Sequence, residues 1–521
     1  MYNQGMIPRN IRNCFLASLW LAPFFVTVFY LLLKISLQNT DPDLGWHLRI
    51  AKDAIELGIF PDVDRYSFAL PQFPWVVFEF RLEELMYLIF RSSNFLGLSL
   101  FFATVTTTLL SLHTYLTTKI LGASRGTVLV ISSIFSLGLL SSYGVRTPVF
   151  ALWANIILFW LIYAYINNRL KPIICYSLLV FCFFIWANCH PSFFLGWLIF
   201  AGATGYKFIS QEREWRLQII LLITFGATLL NPFGFRLWAE VLGHFTPSSV
   251  YLHRYIQEWR PFFLTLPLDF AGMGSFFAAL LLLLSGKKTL LKDGLVVNLG
   301  VTLLFGLATL TAIRNLPLFM VWALPLATVS NPNNFRLGIA IPNSYKALFG
   351  VLLTCLLVPQ ILVLLPQADG SLWENNYPSA GAINALKEAA KGRKIFNPYA
   401  WGGQLAWYFG GDPKIFIDGR MPATWYQGDN FPFKDYVLAS KGSALDKARF
   451  FNKYNFGVTI VEKVAWRKLD WLNELFIGGK VAEEKLAQEA EAKSFNTWLR
   501  QNADWEIIYE DDTTRIFVKN D

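Results

Sequence analysis

Two aspartates, Asp41 and Asp43, stand two apart in Asn39-Thr40-Asp41-Pro42-Asp43-Leu44-Gly45-Trp46-His47-Leu48-Arg49. Pro42 biases Asp41 toward an extended backbone, so the two carboxyls project in related directions from a short stiff stretch. Such a pair can hold a divalent cation (Mg or Mn) through oxygen, or one member can act as a general base. An Asp-Pro-Asp run also suits the cap of a following helix, and that reading stands beside the chemical one. His47, four residues on, and Glu79, in Trp75-Val76-Val77-Phe78-Glu79-Phe80-Arg81, are further candidates of the same segment.

A second set lies at the ends of later apolar runs. It comprises Arg146 in Gly144-Val145-Arg146-Thr147-Pro148, Asn188 and His190 in Trp186-Ala187-Asn188-Cys189-His190-Pro191, Asn231 in Asn231-Pro232-Phe233-Gly234, Glu258 in Gln257-Glu258-Trp259-Arg260-Pro261, and Arg314 beside Asn315. Ionisable groups at membrane depth are costly and so are functional candidates. Arg146, His190 and Arg314 are the candidates for binding a phosphate. Each has a plainer alternative: headgroup snorkelling for the arginines, a structural role for His190, a helix stop for Asn231-Pro232 and a surface acid for Glu258. Asn188 and His190 lack a His-x-x-x-His metal spacing.

The elements that carry these residues follow from composition. The chain has 521 residues, 54% hydrophobic and 16% charged, with a mean hydropathy of +0.41. Soluble proteins are about 25% charged, so one large soluble globule is excluded and a membrane protein is indicated. Residues 367–521 carry 20 Lys/Arg and 21 Asp/Glu, whereas residues 1–366 carry 25 and 15. The chain is thus a polytopic α-helical body, residues 1–366, followed by a soluble domain, residues 367–521. The +9 charge comes with no nucleic-acid motif and no basic cluster, so nucleic acid is excluded as a partner. The five cysteines lie in or beside apolar runs, which argues against a disulfide framework or a Cys-based zinc site.

A membrane span needs about 20 apolar residues. Roughly eleven segments qualify, near 14–36, 95–116, 126–143, 148–166, 173–188, 191–208, 215–230, 269–285, 293–312, 315–330 and 345–366. With the N-terminus in the cytoplasm, the inner loops hold a surplus of +11 and the outer loops of the body −1, as the positive-inside rule requires. An odd number of crossings puts the C-terminal domain outside, periplasmic or extracellular, together with outer loops 37–94 and 231–268. The protein is then expected to be multi-pass in the inner, cytoplasmic membrane. The four sites Arg146, His190, Asn231 and Arg314 converge on that outer face. No Gly-rich phosphate loop occurs on the inner side, which excludes an ATPase-driven transporter on this chain.

Within loop 37–94, Leu44, Leu48, Ala51 and Ile55 recur at helical spacing and predict an amphipathic helix on the bilayer, with a second such stretch at 75–85. Asp62 and Asp64 read as turn residues. In the tail, 378–389 and 403–409 read as helices, and 394–397, 414–418 and 456–461 as strands. A hairpin is expected around Asp511-Asp512-Thr513 and a solvated helix over 480–493, which together make a small α/β domain. Asp418 and Arg420 end an expected strand, where ligand sites often lie. The plainer reading is a tight turn with a salt bridge, and it is preferred.

The stretch "DPDLGWHLRIAKDAIELGIFPDVDRYSF" followed by "PWVVFEFRLEELMYLIF" resembles the first extracytoplasmic loop of polytopic glycosyltransferases of the C superfamily (GT-C). The likeness is to a bacterial branch with an Asp-x-Asp-x-Trp-Trp-His-Leu-Arg pattern, related to protein mannosyltransferases and lipid-linked-sugar transferases. The chain departs from that pattern at Gly45, where the branch has Trp, and at Phe80-Arg81. "WANCHPSF", "LNPFG", "IQEWRP", "RNLPLF" and "FNPYAWGGQLAWYF...KIFIDGR" resemble later parts of the same branch. The resemblance implies transfer of a sugar from a polyprenyl-phosphate-linked donor to an acceptor at the outer face, with Asp41 or Asp43 acting on the acceptor or holding a metal. The alternatives are a transporter or flippase for a lipid-linked substrate, and a GT-C-like subunit of an envelope complex that has lost catalysis. No internal repeat of the transporter kind is evident.

Overall fold

The computed structural model describes residues 21–38, 41–140, 143–210, 215–244, 255–261, 270–285, 294–330, 378–422, 424–463 and 495–520. In the body these form α1 (Ala22–Gln38), α2 (Leu44–Leu57), α3 (Phe80–Leu121), α4 (Arg125–Leu140), α5 (Val149–Ile166), α6 (Pro172–Cys189), α7 (Phe193–Ser210), α8 (Trp215–Thr228), α9 (Phe235–Gly243), α10 (Phe270–Ser285), α11 (Val296–Thr311) and α12 (Leu316–Ser330). Ten of the eleven expected apolar segments coincide with a helix. The eleventh, 345–366, lies outside the described residues. Among the described residues, five helices, over Phe80–Leu121, Val149–Ile166, Pro172–Cys189, Phe193–Ser210 and Ile313–Ser330, are long and apolar enough to cross a membrane.

Helices α5 and α12 are the most enclosed, and polar cross-links pin them where water cannot compete. Trp322 donates to Asn155 at 2.9 Å. His113 accepts from Trp160 at 2.9 Å through Nδ1, which leaves its Nε2–H to bond the Val321 carbonyl at 3.0 Å. Helix α3 breaks at Ser93 and Asn94, where Asn94 takes φ +52°. Its first turns therefore belong to the first loop and its remainder to the bundle.

In the first loop α2 forms as expected, with Leu44, Leu48 and Ala51 buried and Ile55 exposed. Its buried face meets protein, not an open bilayer. A Cβ on Gly45 would stand 2.3 Å from the Gly403 carbonyl oxygen, and one on Gly403 would stand 2.3 Å from that of Pro42. The departure at Gly45 thus has a cause: two backbones touch where a Trp would stand. The stretch 75–85 is helical only from Phe80.

The tail comprises α13 (Ala380–Ala389), β1 (Lys394–Phe396), α14 (Gly402–Phe409), α15 (Pro432–Lys441), α16 (Ala444–Tyr454), β2 (Phe456–Glu462), β3 (Trp505–Glu510) and β4 (Thr514–Lys519). The sheet order is β1-β2-β4-β3, with β1 parallel to β2 and the other pairs antiparallel. Ser379 caps α13, and a Ser443–Asp446 capping box starts α16. The strand expected at 414–418 does not join this sheet. Ile415 instead bridges Ser67 of the first loop, exchanging hydrogen bonds with Tyr66 (3.0 Å) and Phe68 (3.1 Å). The helix expected at 480–493 lies outside the described residues, and α15 and α16 were not anticipated.

One buried ion cluster fastens the tail to the loop. Arg420 binds Asp418 through Nε (2.8 Å to Oδ1) and Nη2 (2.6 Å to Oδ2), and binds Asp64 through Nη1 (2.9 Å). All three side chains are at most 1% exposed. The guanidinium lies 4.6 Å from the Trp75 ring centre and 4.9 Å from that of Trp425. The preferred turn-and-salt-bridge reading of Asp418-Gly419-Arg420 agrees with this geometry. Asp64 does form the expected turn, accepting the N–H groups of Tyr66 and Ser67, but it also pairs across domains. Arg420→Met leaves two carboxylates buried without their cation and is expected to cost about 3–5 kcal/mol. A large fall in Tm measured in detergent, with earlier proteolysis between body and tail, is the expected outcome. Gly403→Ala, which inserts a methyl between touching backbones, is expected to shift Tm in the same direction.

Candidate functional site

Between the bundle end and the tail lies a cavity of about 530 Å³, within the range of small-molecule sites. The first loop supplies Asp41, Asp43, Trp46, His47, Trp75 and Glu79 to its wall. Body turns add Arg146, Thr147, His190, Glu258 and Arg314, and the tail adds Tyr399, Gly419 and Arg420. Nine of the twelve candidates read from the sequence therefore meet in one place. Asn188, Asn231 and Asp418 do not line it. Asn188 bonds the carbonyls of Phe184 and Leu230. Asn231 closes its own turn, donating to Thr228 and accepting from Phe233 N–H, which is the helix-stop role. Asp418 stands behind Arg420.

The acid pair departs from a plain helix cap. Asp43 occupies the N-cap position of α2, yet its side chain makes no capping bond. Asp41 Oδ1 instead accepts the Asp43 backbone N–H at 2.9 Å. The Asp43 carboxylate lies against the tail, where a Cβ on Gly419 would fall 1.8 Å from Oδ1. Burial first, then the neighbouring charge of Asp41, holds the Asp43 carboxyl well above the usual carboxylate range.

Opposite stands a chain of alternating charges. Arg146 Nε lies 2.9 Å from Asp41 Oδ2, and its Nη2 donates to Glu258 Oε2 at 2.7 Å. Arg314 Nη1 lies 3.5 Å from Glu258 Oε1, and its guanidinium covers Trp259 at 4.2 Å. Burial alone would raise the Glu258 carboxyl, but Arg146 and Arg314 outweigh it and hold the group down at about 2. For a divalent ion at Asp41 and Asp43 this arrangement is unfavourable, because Asp41 already has one oxygen against a guanidinium and the other on a backbone N–H.

His190 Nδ1 accepts the Ser192 backbone N–H at 3.1 Å, so the ring proton sits on Nε2, which faces Glu79 Oε1 at 3.8 Å. Burial, then Arg314 and Arg146, push His190 down to about 3. It is therefore a neutral donor at physiological pH and not a cation. Glu79 accepts from Thr147 at 3.0 Å, and burial raises it to about 7. Asp64, Glu83, Trp75, Tyr399 and Trp425 went unremarked as site residues in the sequence. The only signal available for Glu83 was its four-residue spacing from Glu79.

No protein-family model and no curated protein matches this chain. Solved structures do. The archaeal oligosaccharyltransferase AglB from Archaeoglobus fulgidus, in complex with an inhibitory peptide and a dolichol-phosphate, is similar at 12% identity and a TM-score of 0.58, over 87% of this chain and 69% of that one. The same archaeal enzyme in complex with Zn and sulfate matches at 12% identity and a TM-score of 0.50, over 84% and 68%. ArnT from Cupriavidus metallidurans in the apo state matches at 11% identity and a TM-score of 0.50, over 97% and 98%. At these identities the likeness establishes architecture alone: this chain shares the fold of those solved structures, and its described residues include helices long and apolar enough to cross a membrane.

Proposed function

We propose that the protein is a membrane glycosyltransferase that moves a sugar from a polyprenyl-phosphate-linked donor to an acceptor, on the outer side of the membrane. The observation that carries this reading is the single cavity in which a carboxylate pair, Asp41 and Asp43, faces the arginines Arg146 and Arg314. The solved relatives include one bound to dolichol-phosphate, which is the class of lipid the reading requires. The N-in, tail-out orientation belongs to the same proposal and rests on the loop charges.

In this mechanism the acceptor hydroxyl attacks the anomeric carbon while the bond from that carbon to the phosphate oxygen breaks. Asp43 takes the hydroxyl proton, since its raised proton affinity suits a general base. Arg146 and Arg314 stabilise the departing phosphate, with the neutral His190 donating through Nε2. Mg or Mn at Asp41 and Asp43 does not suit the ion pair to Arg146, so no step is routed through a metal there. Glu258 holds both arginines before the donor arrives, so the phosphate must displace it or share them. Glu258 therefore sets the affinity for the lipid phosphate.

Asp43→Asn is expected to lower sugar transfer by about 10²–10⁴-fold while lipid-phosphate binding persists, measured with reconstituted protein and a polyprenyl-phosphate-linked donor. Full activity in both Asp41→Asn and Asp43→Asn variants would remove the acids from the mechanism. Arg146→Gln and Arg314→Gln should each weaken binding of a short-chain polyprenyl phosphate about 10–100-fold. Glu258→Gln should tighten it by about tenfold, and that gain should hold from pH 5 to 8. The sign follows from the depressed Glu258 carboxyl: its charge is present throughout this range and is lost only as pH falls toward 2. Weaker binding in Glu258→Gln would contradict the competition.

A further inference from the structure

His47, Glu79 and Glu83 bring an imidazole nitrogen and two carboxylate oxygens within 4.8 Å of one another. They are 5%, 6% and 0% exposed, respectively. Glu79 and Glu83 lie four residues apart at the start of α3, so they share one face, and α2 presents His47 to it. His47 Nδ1 is 2.6 Å from Glu83 Oε1, and Glu83 Oε2 is buried with no hydrogen-bond partner. Among the described residues no lysine or arginine forms an ion pair with Glu79 or Glu83. Two carboxyls enclosed together, one with an orphaned oxygen, leave room for a shared positive partner, either a metal ion or a proton.

We propose that His47, Glu79 and Glu83 form a binding site for a divalent transition metal of the Zn²⁺ class, separate from the Asp41–Asp43 pair. The donor set is one imidazole and two carboxylates, which suits a borderline ion better than Mg²⁺, an ion that favours oxygen ligands and retained water. Tetrahedral ligands about 2.1 Å from an ion stand roughly 3.4 Å apart, so the His47–Glu83 pair, now hydrogen-bonded at 2.6 Å, would part by under 1 Å to admit the ion. Thr147 Oγ1, 3.0 Å from Glu79, and His190 Nε2, 3.8 Å from it, supply the surrounding donors that orient such a ligand. His47 and Glu79 line the cavity, so a fourth coordination position would open onto it. The site does not depend on the donor being a lipid-linked sugar.

The test uses the full-length protein in nanodiscs, stripped with a chelator and then titrated with Zn²⁺ and with Co²⁺ as a spectroscopic probe. About one ion per chain by elemental analysis, with the visible absorption of low-coordinate Co²⁺, is expected. His47→Gln and Glu83→Gln should each lose at least about tenfold in metal affinity, while the Asp41→Asn/Asp43→Asn double variant keeps the ion. Loss of the ion in that double variant, or its retention in both His47→Gln and Glu83→Gln, overturns the assignment. X-ray absorption on the wild-type Zn²⁺ form is independent of how the variants fold: one imidazole with oxygen ligands supports the site, and spectra without imidazole, or no bound Zn²⁺, overturn it.

Discussion

Arg420 sits in an enclosure of two carboxylates and two indoles, and the relation between the tail and the membrane body depends on it. A guanidinium removed from water needs its donors filled. Asp418 takes the Nε and Nη2 side and Asp64 takes Nη1, while Trp75 and Trp425 cover its faces. Asp64 belongs to the first loop and Asp418 to the tail. The cluster therefore decides which wall of the cavity Gly419 forms and where the Asp43 carboxylate can lie.

The cavity itself is close to charge balance before any ligand arrives. Asp41, Arg146, Glu258 and Arg314 alternate along one line, so each arginine is held in place by an acid. Under the proposed function such a site would take up an anion by exchange of partners. Preorganisation is thereby kept at the cost of some affinity, since a pre-paired cation gains less from a new anion than a free one would.

Much of this was legible in the sequence because the relevant signals are local. Apolar runs of about 20 residues and the helical spacing of Leu44, Leu48 and Ala51 predict elements that occur. The polar residues that interrupt the ends of apolar runs, Arg146, His190 and Arg314, come together because every such run ends at a membrane face. What was not legible depends on pairing between distant segments. Residues 414–418 have the composition of a strand, yet Ile415 found its partner in the first loop and not in the sheet. Asp64 looks like any turn aspartate until Arg420, 356 positions later, closes on it. Helix α15 carries a mixed sequence and packs through Tyr436 on the aromatic core around Phe396, whereas α16 does display a local signal, an amphipathic pattern behind the Ser443–Asp446 cap, and its Phe450 joins the same core. The charge state of Glu79 and the neutrality of His190 are likewise products of enclosure, which spacing alone does not report.

The contact between Gly45 and Gly403 bears on how this architecture diversifies. Where the related bacterial pattern places a Trp, this chain has exchanged side-chain bulk for direct backbone apposition, and the partner surface is the Gly402-Gly403 step of α14. Neither glycine is free to change alone. The two positions form a lock-and-key pair across a domain boundary, so a chimera joining this body to a relative's tail would inherit a mismatch at the loop even if every cavity residue were preserved. Variation in C-terminal domains on this fold is then constrained by a few backbone contacts at the boundary with the first loop.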